Sequence, residues 1–263
     1  MTCYSIAAVR HGVLRTTRAR FYLNYDVTGA PDGEILVGYW FWLIRGGERL
    51  VLVDTGFSAA GAAKRGREVV IPVDHAFRSL GLRPDDEIDV VLTHAHYDHA
   101  GNVGWFRRAQ VWVSAAEMRF WHDDASRHAQ FRSVIDDMDL AAIERIADEG
   151  RLHLITGSAD IADGIHALEI PGHTPGQLAV RVSTAIGMVL LASDAVHTQE
   201  ELDRDMPFRH NTDLVGLYRG LATMRAWLAE GTVAAVVPGH EAAVLGRYPR
   251  LPGVLAEVAC LIG

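Results

Sequence analysis

The chain has 263 residues, 49% of them hydrophobic and 22% charged, a globular balance that builds a core without disulfide staples. Lys and Arg total 25 against 33 Asp and Glu, a net charge of −8, which argues against nucleic acid or an anionic membrane as the main partner. An anionic small molecule stays open, because a bound metal supplies positive charge locally.

Cys3 and Cys260 stand near the two ends, form no C-x-x-C pair and are expected as reduced thiols. The start lacks a basic stretch followed by a long apolar run, and no run of about 18 apolar residues occurs, so the expected location is cytoplasmic. Length, with no linker, repeat or low-complexity tract, suggests one α/β domain over residues 1–263.

In chain order, residues 4–9 and 36–44 read as strands, the second containing Tyr39-Trp40-Phe41-Trp42. A turn at Arg45-Gly46-Gly47-Glu48 leads to a strand at 49–53, a hairpin signal. That run ends in Asp54-Thr55-Gly56, which alone reads as a turn or cap. Residues 74–81 look helical, and 88–92 form a short apolar strand. Residues 110–113 are a strand, followed by Ser114 as N-cap with Glu117 at the capping-box position and a helix over 115–123. His122 and His128, among charged neighbours, read as solvated.

Residues 138–150 are helical. Short strands follow at 152–155, 165–170, 179–182 and 188–192, and residues 200–212 look irregular. Residues 214–230 form an amphipathic helix with Leu214, Leu217, Leu221, Met224, Trp227 and Leu228 on one face. A strand at 233–237 and a helix over about 254–261 close the chain.

The chemistry concentrates in Thr93-His94-Ala95-His96-Tyr97-Asp98-His99-Ala100-Gly101, directly after the strand at 88–92. Imidazole and carboxylate are the usual ligands of zinc and similar divalent metals, and four such groups buried without a metal would lack compensation for desolvation. His173, in Pro171-Gly172-His173-Thr174-Pro175-Gly176, Asp194 after Ser193, and His240 after Pro238-Gly239 each follow a short apolar strand as well. Loops at strand ends converge on one edge of a layered sheet. Five histidines and two aspartates suffice for two metals, with Asp194 as a bridging carboxylate at a spacing of roughly 3.5 Å.

Together these motifs resemble the metallo-β-lactamase superfamily over residues of about 36–245, with Asp54-Thr55-Gly56 matching its early Asp-Thr-Gly turn. The resemblance implies a four-layer αβ/βα sandwich: two mixed sheets face to face, helices outside. It implies His94, His96 and His173 on one metal, Asp98, His99 and His240 on the other, and Asp194 between them, the ions most simply being Zn²⁺, with Fe or Mn as alternatives. Within the superfamily the chain is most similar to the N-acyl-homoserine lactonase group, through Leu190-Leu191-Ala192-Ser193-Asp194-Ala195 and the spacing to His240. That group carries a tyrosine three residues after the bridging aspartate; here the position is His197.

The expected activity is a dinuclear-metal lactonase, in which hydroxide bridging the metals attacks the carbonyl, Asp98 shuttles a proton and His197 donates to the carbonyl or product. Met206, Phe208 and His210 are the expected substrate contacts, and Trp40, Trp42, Phe57 and Trp105 are candidate apolar walls. A thioesterase of the glyoxalase II kind is the competing activity. A phosphodiesterase ranks lower, because no Arg/Lys cluster is tied to the motif loops; a metal-dependent oxidoreductase is a further class. The expected partner is a small lactone or ester, and apolar N-terminal stretches are candidates for a homodimer contact.

Overall fold

Strand β2 (Glu34–Gly46) shows how the sequence builds two cores from one sheet. Its period-2 alternation sends Trp40, Trp42 and Ile44 to one face and Phe41 and Leu43 to the other. Full burial of apolar side chains of this size contributes roughly 1.5–3 kcal/mol each. The computed structural model describes residues 2–263. With β1 (Ser5–Thr17) and β3 (Arg49–Val53) it continues through β4 (Glu68–Val69), β5 (Asp89–Val91), β6 (Gln110–Ser114), β7 (Leu152–Ile155), β8 (Ser158–Ala162), β9 (Ile165–Glu169), β10 (Leu178–Thr184), β11 (Gly187–Ser193), β12 (Ala235–Pro238) and β13 (Ala259–Ile262).

The first sheet runs β13-β1-β2-β3-β5-β6-β7, with β4 on β1; the second runs β12-β11-β10-β9-β8. Strands β3, β5, β6 and β7 are parallel, whereas β1, β2 and β13 are antiparallel neighbours, so both mixed character and layer order match the expected αβ/βα sandwich. The inner faces enclose Trp40, Trp42, Val53, Val91, Leu178, Val180 and Leu191. Outside the first sheet, helices Val73–Ser79, Ala115–His122 and Asp137–Asp148 cover Phe41, Leu52, Val90 and Val111 with Phe77, Met118 and Ile143. Outside the second, helix Leu214–Ala229 packs Leu217, Leu221 and Met224 on Ala179, Leu190 and Ala192.

Three expectations need correction. The closing helix is instead a 3₁₀ turn, Gly253–Leu255, followed by β13, which pairs Ile262 with Ile6 and Cys260 with Ala8. A short apolar run has no decisive period of its own, and the open edge of β1 selects the strand. The segment read as irregular begins with helix Gln199–Arg204, capped by the Thr198 hydroxyl on the Glu201 N–H at 3.1 Å. Leu214 opens its helix exposed, outside the buried stripe. Strand β8, with one buried residue, went unread. His122 and His128 are exposed, as expected. Both cysteines are free, Cys3 exposed and Cys260 buried. No helix among the described residues is long and apolar enough to cross a membrane.

One buried carboxyl works against the fold. Asp139, in the first turn of helix Asp137–Asp148, is buried with Oδ2 unpartnered among the described residues. Burial, then the Asp136 charge, pushes its pKa from 3.8 up to about 7. The folded state therefore holds the proton more tightly than the unfolded chain, and stability falls as pH rises through that interval. Asp139→Asn is expected to raise Tm more at pH 8 than at pH 5; thermal unfolding at the two pH values with an equal gain, or none, would contradict it.

Candidate metal centre and its cavity

Strand direction assembles the site. The parallel run of β3 and β5, and the common direction of β9, β11 and β12, bring five strand ends to one edge of the sandwich. The segments after them carry Asp54, the His94–His99 cluster, His173, Asp194 and His240, all buried. Two backbone positions there are left-handed without being glycine, Asp54 at φ 61° and Ser193 at φ 47°. Such conformations cost about 1–3 kcal/mol each and persist where the surroundings over-determine them. Here the Asp54 N–H donates to Val91 O at 2.9 Å, and Ser193 O accepts from Gly239 N–H at 2.9 Å.

The rings are oriented one nitrogen at a time. His99 Nδ1–H donates to Asp54 Oδ2 at 2.8 Å. His173 Nδ1–H donates to the His210 carbonyl and His240 Nδ1–H to the Gly38 carbonyl, each at 2.8 Å. His197 Nδ1–H donates to Glu201 Oε2 at 3.0 Å. With Nδ1 committed, every Nε2 faces inward. From Asp194 Oδ2, the Nε2 atoms of His197 and His240 lie at 3.2 Å and that of His173 at 3.4 Å. His99 Nε2 lies 3.3 Å from Asp194 Oδ1, and His240 Nε2 lies 3.7 Å from Asp98 Oδ2.

Several of these buried atoms have no hydrogen-bond partner among the described residues: His94 Nε2, His99 Nε2, His197 Nε2 and Asp194 Oδ1. His96 Nδ1 instead faces His173 Nε2 at 3.0 Å. Orphaned polar atoms are costly in an interior, and a divalent cation satisfies them together. Ligand atoms of His94, His96 and His173 lie within 4.8 Å of one another, as do those of His94, His99 and Asp194 and those of Asp98, His99 and His240; a fourth group is His173, Asp194 and His197. The donor set fits divalent metal ions.

Charge follows burial and neighbours. Burial, then the adjacent imidazoles, holds His94 and His96 well below the ordinary histidine range, and burial pushes His173 down to about 3. Burial alone would also depress His99, but the Asp194, Asp54 and Asp98 carboxylates outweigh it and hold that ring well above its ordinary value. Asp194 would be raised by burial; His240, His99 and His197 instead pull it well below the usual carboxylate range.

A cavity of about 380 Å³ opens onto His96, Asp98, His173, Asp194 and His240. Its apolar wall is Leu14, Phe21, Val37, Val134 and Phe208, and Arg15, Arg20, Arg67 and Arg209 complete it. Phe208 and His210 thus line it, whereas Met206 is buried in the cluster around Phe21 and Tyr22. His197 is fully buried outside the wall, its ring centroid 4.1 Å from that of Phe208. Trp40 and Trp42 lie between the sheets, Phe57 packs on His11 and Tyr39, and Trp105 packs on Phe77; none reaches the cavity. A larger depression, around Thr2, Arg49 and Asp86, sits at the opposite strand ends and holds none of the cluster.

Two residues escaped the sequence reading. Glu117 makes no reciprocal capping-box bond. Ser114 Oγ accepts from the Ala116 and Glu117 N–H groups, while the Glu117 carboxylate turns inward to accept from Ala95 N–H at 3.0 Å and Trp121 Nε1–H at 2.7 Å. It thereby braces the loop between His94 and His96. A Cβ on Gly176, in the His173 loop, would stand 2.2 Å from Glu117 N, so that loop also seats directly on this helix. Glu201, fully buried, holds His197. The capping-box position concealed the first, and a solvated-looking Glu200-Glu201 pair concealed the second.

The profile described as the metallo-beta-lactamase superfamily matches residues 36–240. The chain belongs to this superfamily. An N-acyl homoserine lactonase of Bacillus sp is 28% identical over 192 residues, covering 67% of this chain and 71% of that protein. An acyl-coenzyme A thioesterase of Bos taurus is 25% identical over 214 residues, covering 76% and 71%. Among solved structures, an N-acyl homoserine lactone hydrolase with N-hexanoyl-L-homoserine at its catalytic metal centre superposes with a TM-score of 0.78 at 19% identity, covering 96% and 99%. A dizinc quorum-quenching lactonase superposes at 0.70 and 18% identity, covering 100% and 95%. The fold is therefore shared with metal-dependent hydrolases, and this chain is an enzyme of that superfamily.

Asp54 accepts the Nδ1–H of His99, whose Nε2 faces the cluster. Asp54→Asn replaces the carboxylate that receives His99 Nδ1–H by an amide, and metal affinity is expected to fall about 10–100-fold with the fold retained. Competition against a chelator, alongside circular dichroism, measures this; unchanged metal retention would remove Asp54 from the site.

Proposed function

We propose that the chain is a dinuclear-metal hydrolase of carboxylic esters, acting on lactones of the N-acyl-homoserine type or close relatives. The observation that carries the reading is the convergence of imidazole Nε2 atoms on Asp194, each fixed by a partner on its other nitrogen. In this reading His94, His96 and His173 would hold one ion and Asp98, His99 and His240 the other, with Asp194 available to both and Zn²⁺ the simplest occupant. When bound, such a pair activates water and polarises a carbonyl.

The chain's own residues do the rest. Asp98, on the cavity wall, accepts the proton released in the attack and returns it to the leaving alkoxide. Leu14, Phe21, Val37 and Phe208 shelter the acyl portion and exclude water from it. His197 is better suited to the acidic floor than to the substrate carbonyl. It is sealed behind Phe208, its Nδ1 is held by Glu201 and its Nε2 faces Asp194 Oδ2 at 3.2 Å. We assign it to holding Asp194, or the ion beside it, in place.

A thioesterase reading of the same centre has its own support in the bovine relative and in the cationic cavity mouth. A panel of N-acyl-homoserine lactones, simple esters and thioesters separates the two: opening of lactones across several acyl lengths is expected, and hydrolysis of thioesters alone would transfer the assignment. Metal analysis of unchelated protein is expected to give about two ions per chain, and Asp194→Asn should abolish most turnover. Fewer than two ions, together with near-normal turnover in that variant, would refute the dinuclear site.

A further inference from the structure

We propose that the mouth of this cavity is an oxyanion-recognition site, so that the preferred substrates carry a carboxylate or phosphate on the part of the molecule remote from the scissile carbonyl. This rests on the hydrolase reading of the same cavity and specifies its substrate class.

The chain is acidic overall, at −8, yet four arginines line one cavity. They come from three separate places: Arg15 from the end of β1 and Arg20 from the helical turn beyond it, Arg67 from the segment before β4, and Arg209 from the loop that also carries Phe208. Among the described residues no carboxylate lies within ion-pair distance of any of the four. Neighbours in sequence behave differently: Arg18 pairs with Glu200 at 3.0 Å and Arg65 with Asp136 at 2.8 Å. Other arginines away from the cavity, such as Arg45 and Arg181, are unpaired as well; what sets these four apart is that they line one cavity.

Two of the four are also held in place by neutral acceptors. Arg67 donates Nε–H to the Tyr97 hydroxyl at 2.8 Å and Nη1–H to Arg65 O at 3.0 Å. Arg209 donates Nη1–H to Arg20 O at 3.0 Å. These bonds fix the guanidinium planes without cancelling their charge, and each leaves donors free. Preorganised forks with free donors suit the paired oxygens of a carboxylate or phosphate. An anionic ligand at this mouth would meet arginines that no carboxylate already pairs.

His96, Asp98, His173, Asp194 and His240 form the floor and Phe21, Val37 and Phe208 the adjoining wall. A substrate with its carbonyl on the floor would lay an apolar segment on that wall and present its far end to the arginines. A neutral alkyl tail would offer these arginines no anionic partner. A dicarboxylic acyl group, or the phosphorylated portion of an acyl thioester of coenzyme A, would not.

The test uses matched substrates on the metal-loaded enzyme. N-hexanoyl-homoserine lactone is compared with the same lactone bearing an ω-carboxylate on its acyl chain. Hexanoyl-coenzyme A is compared with its neutral N-acetylcysteamine thioester. At low salt the anionic member of at least one pair is expected to have the higher kcat/KM by about tenfold or more, the size of one charge-assisted hydrogen bond. That preference should shrink as ionic strength rises and should collapse toward unity in Arg67→Gln and Arg209→Gln, mainly through KM. Which pair shows it tells carboxylate from phosphate. If both pairs are hydrolysed without preference, or the preference survives in both arginine variants, the proposal is overturned while the hydrolase reading stands. If no substrate is turned over, the hydrolase reading fails, and pyrophosphate titrated into the same wild-type and variant proteins still decides the anion site. Affinity lost in the arginine variants supports it; equal affinity assigns the anion to the metals and overturns it.

Discussion

The site depends on one buried carboxylate, Asp54. It accepts from Thr93 N–H at 2.8 Å, from Thr93 Oγ1–H at 2.9 Å and from His99 Nδ1–H at 2.8 Å, and Ser193 Oγ reaches it at 3.3 Å. Thr93 follows β5, Ser193 ends β11, and Asp54 itself follows β3. One side chain thus ties the edges of both sheets together and sets the ring that faces Asp194 and Asp98. A fully buried charge is tolerable only when its oxygens are answered, and here the answering groups are the parts that must be held still. The left-handed backbones at Asp54 and Ser193 are sustained by this network.

Around it, charges balance only as a set. Burial strips His94, His96 and His173 of their tendency to protonate, leaving the neutral form in which imidazole binds metal. The carboxylates of Asp194, Asp98 and Asp54 draw positive charge instead onto His99. A cluster that keeps several imidazoles neutral beside closely spaced carboxylates is suited to external cations in a way that a hydrogen-bonded core is not. The unpartnered Nε2 atoms say the same in the language of hydrogen bonds.

Sequence legibility followed locality. The His94–His99 cluster, His173, Asp194 and His240 were readable because each sits just after a short apolar strand, and the two sheets bring those ends together. Strands β3 and β7 were read to their observed bounds, since their apolar runs are flanked by turn residues. β13 was not, because pairing with β1, a long-range event, decides its form. The cavity was the least legible part. Arg15, Arg20, Arg67 and Arg209 are far apart in sequence and stand in unremarkable contexts, so the absence of a basic cluster near the motifs was a true statement about sequence and a false guide to space. Asp54-Thr55-Gly56 looked like a turn; its carboxylate proved to be a hinge of the site. Glu117 shows the converse error, a residue whose local motif was recognised and whose side chain serves a different partner.

This separation between local and dispersed residues has a mechanistic counterpart. The histidine–aspartate floor is assembled from strand ends inside the packed sandwich, where a shift of one loop disturbs Asp54, Thr93 and Ser193 together. The mouth is built from the end of β1, the turn Arg18–Phe21, Arg67 and the Phe208–His210 loop, which meet the floor at His173, His197 and Tyr97. Mouth and floor are thus built from different segments, joined at a few contacts. In the reading proposed above, reaction type rests on the buried cluster and substrate choice on the more exposed mouth, where Arg67 and Arg209 are themselves held by hydrogen bonds. In this chain the rim carries four arginines over a floor of histidine and aspartate.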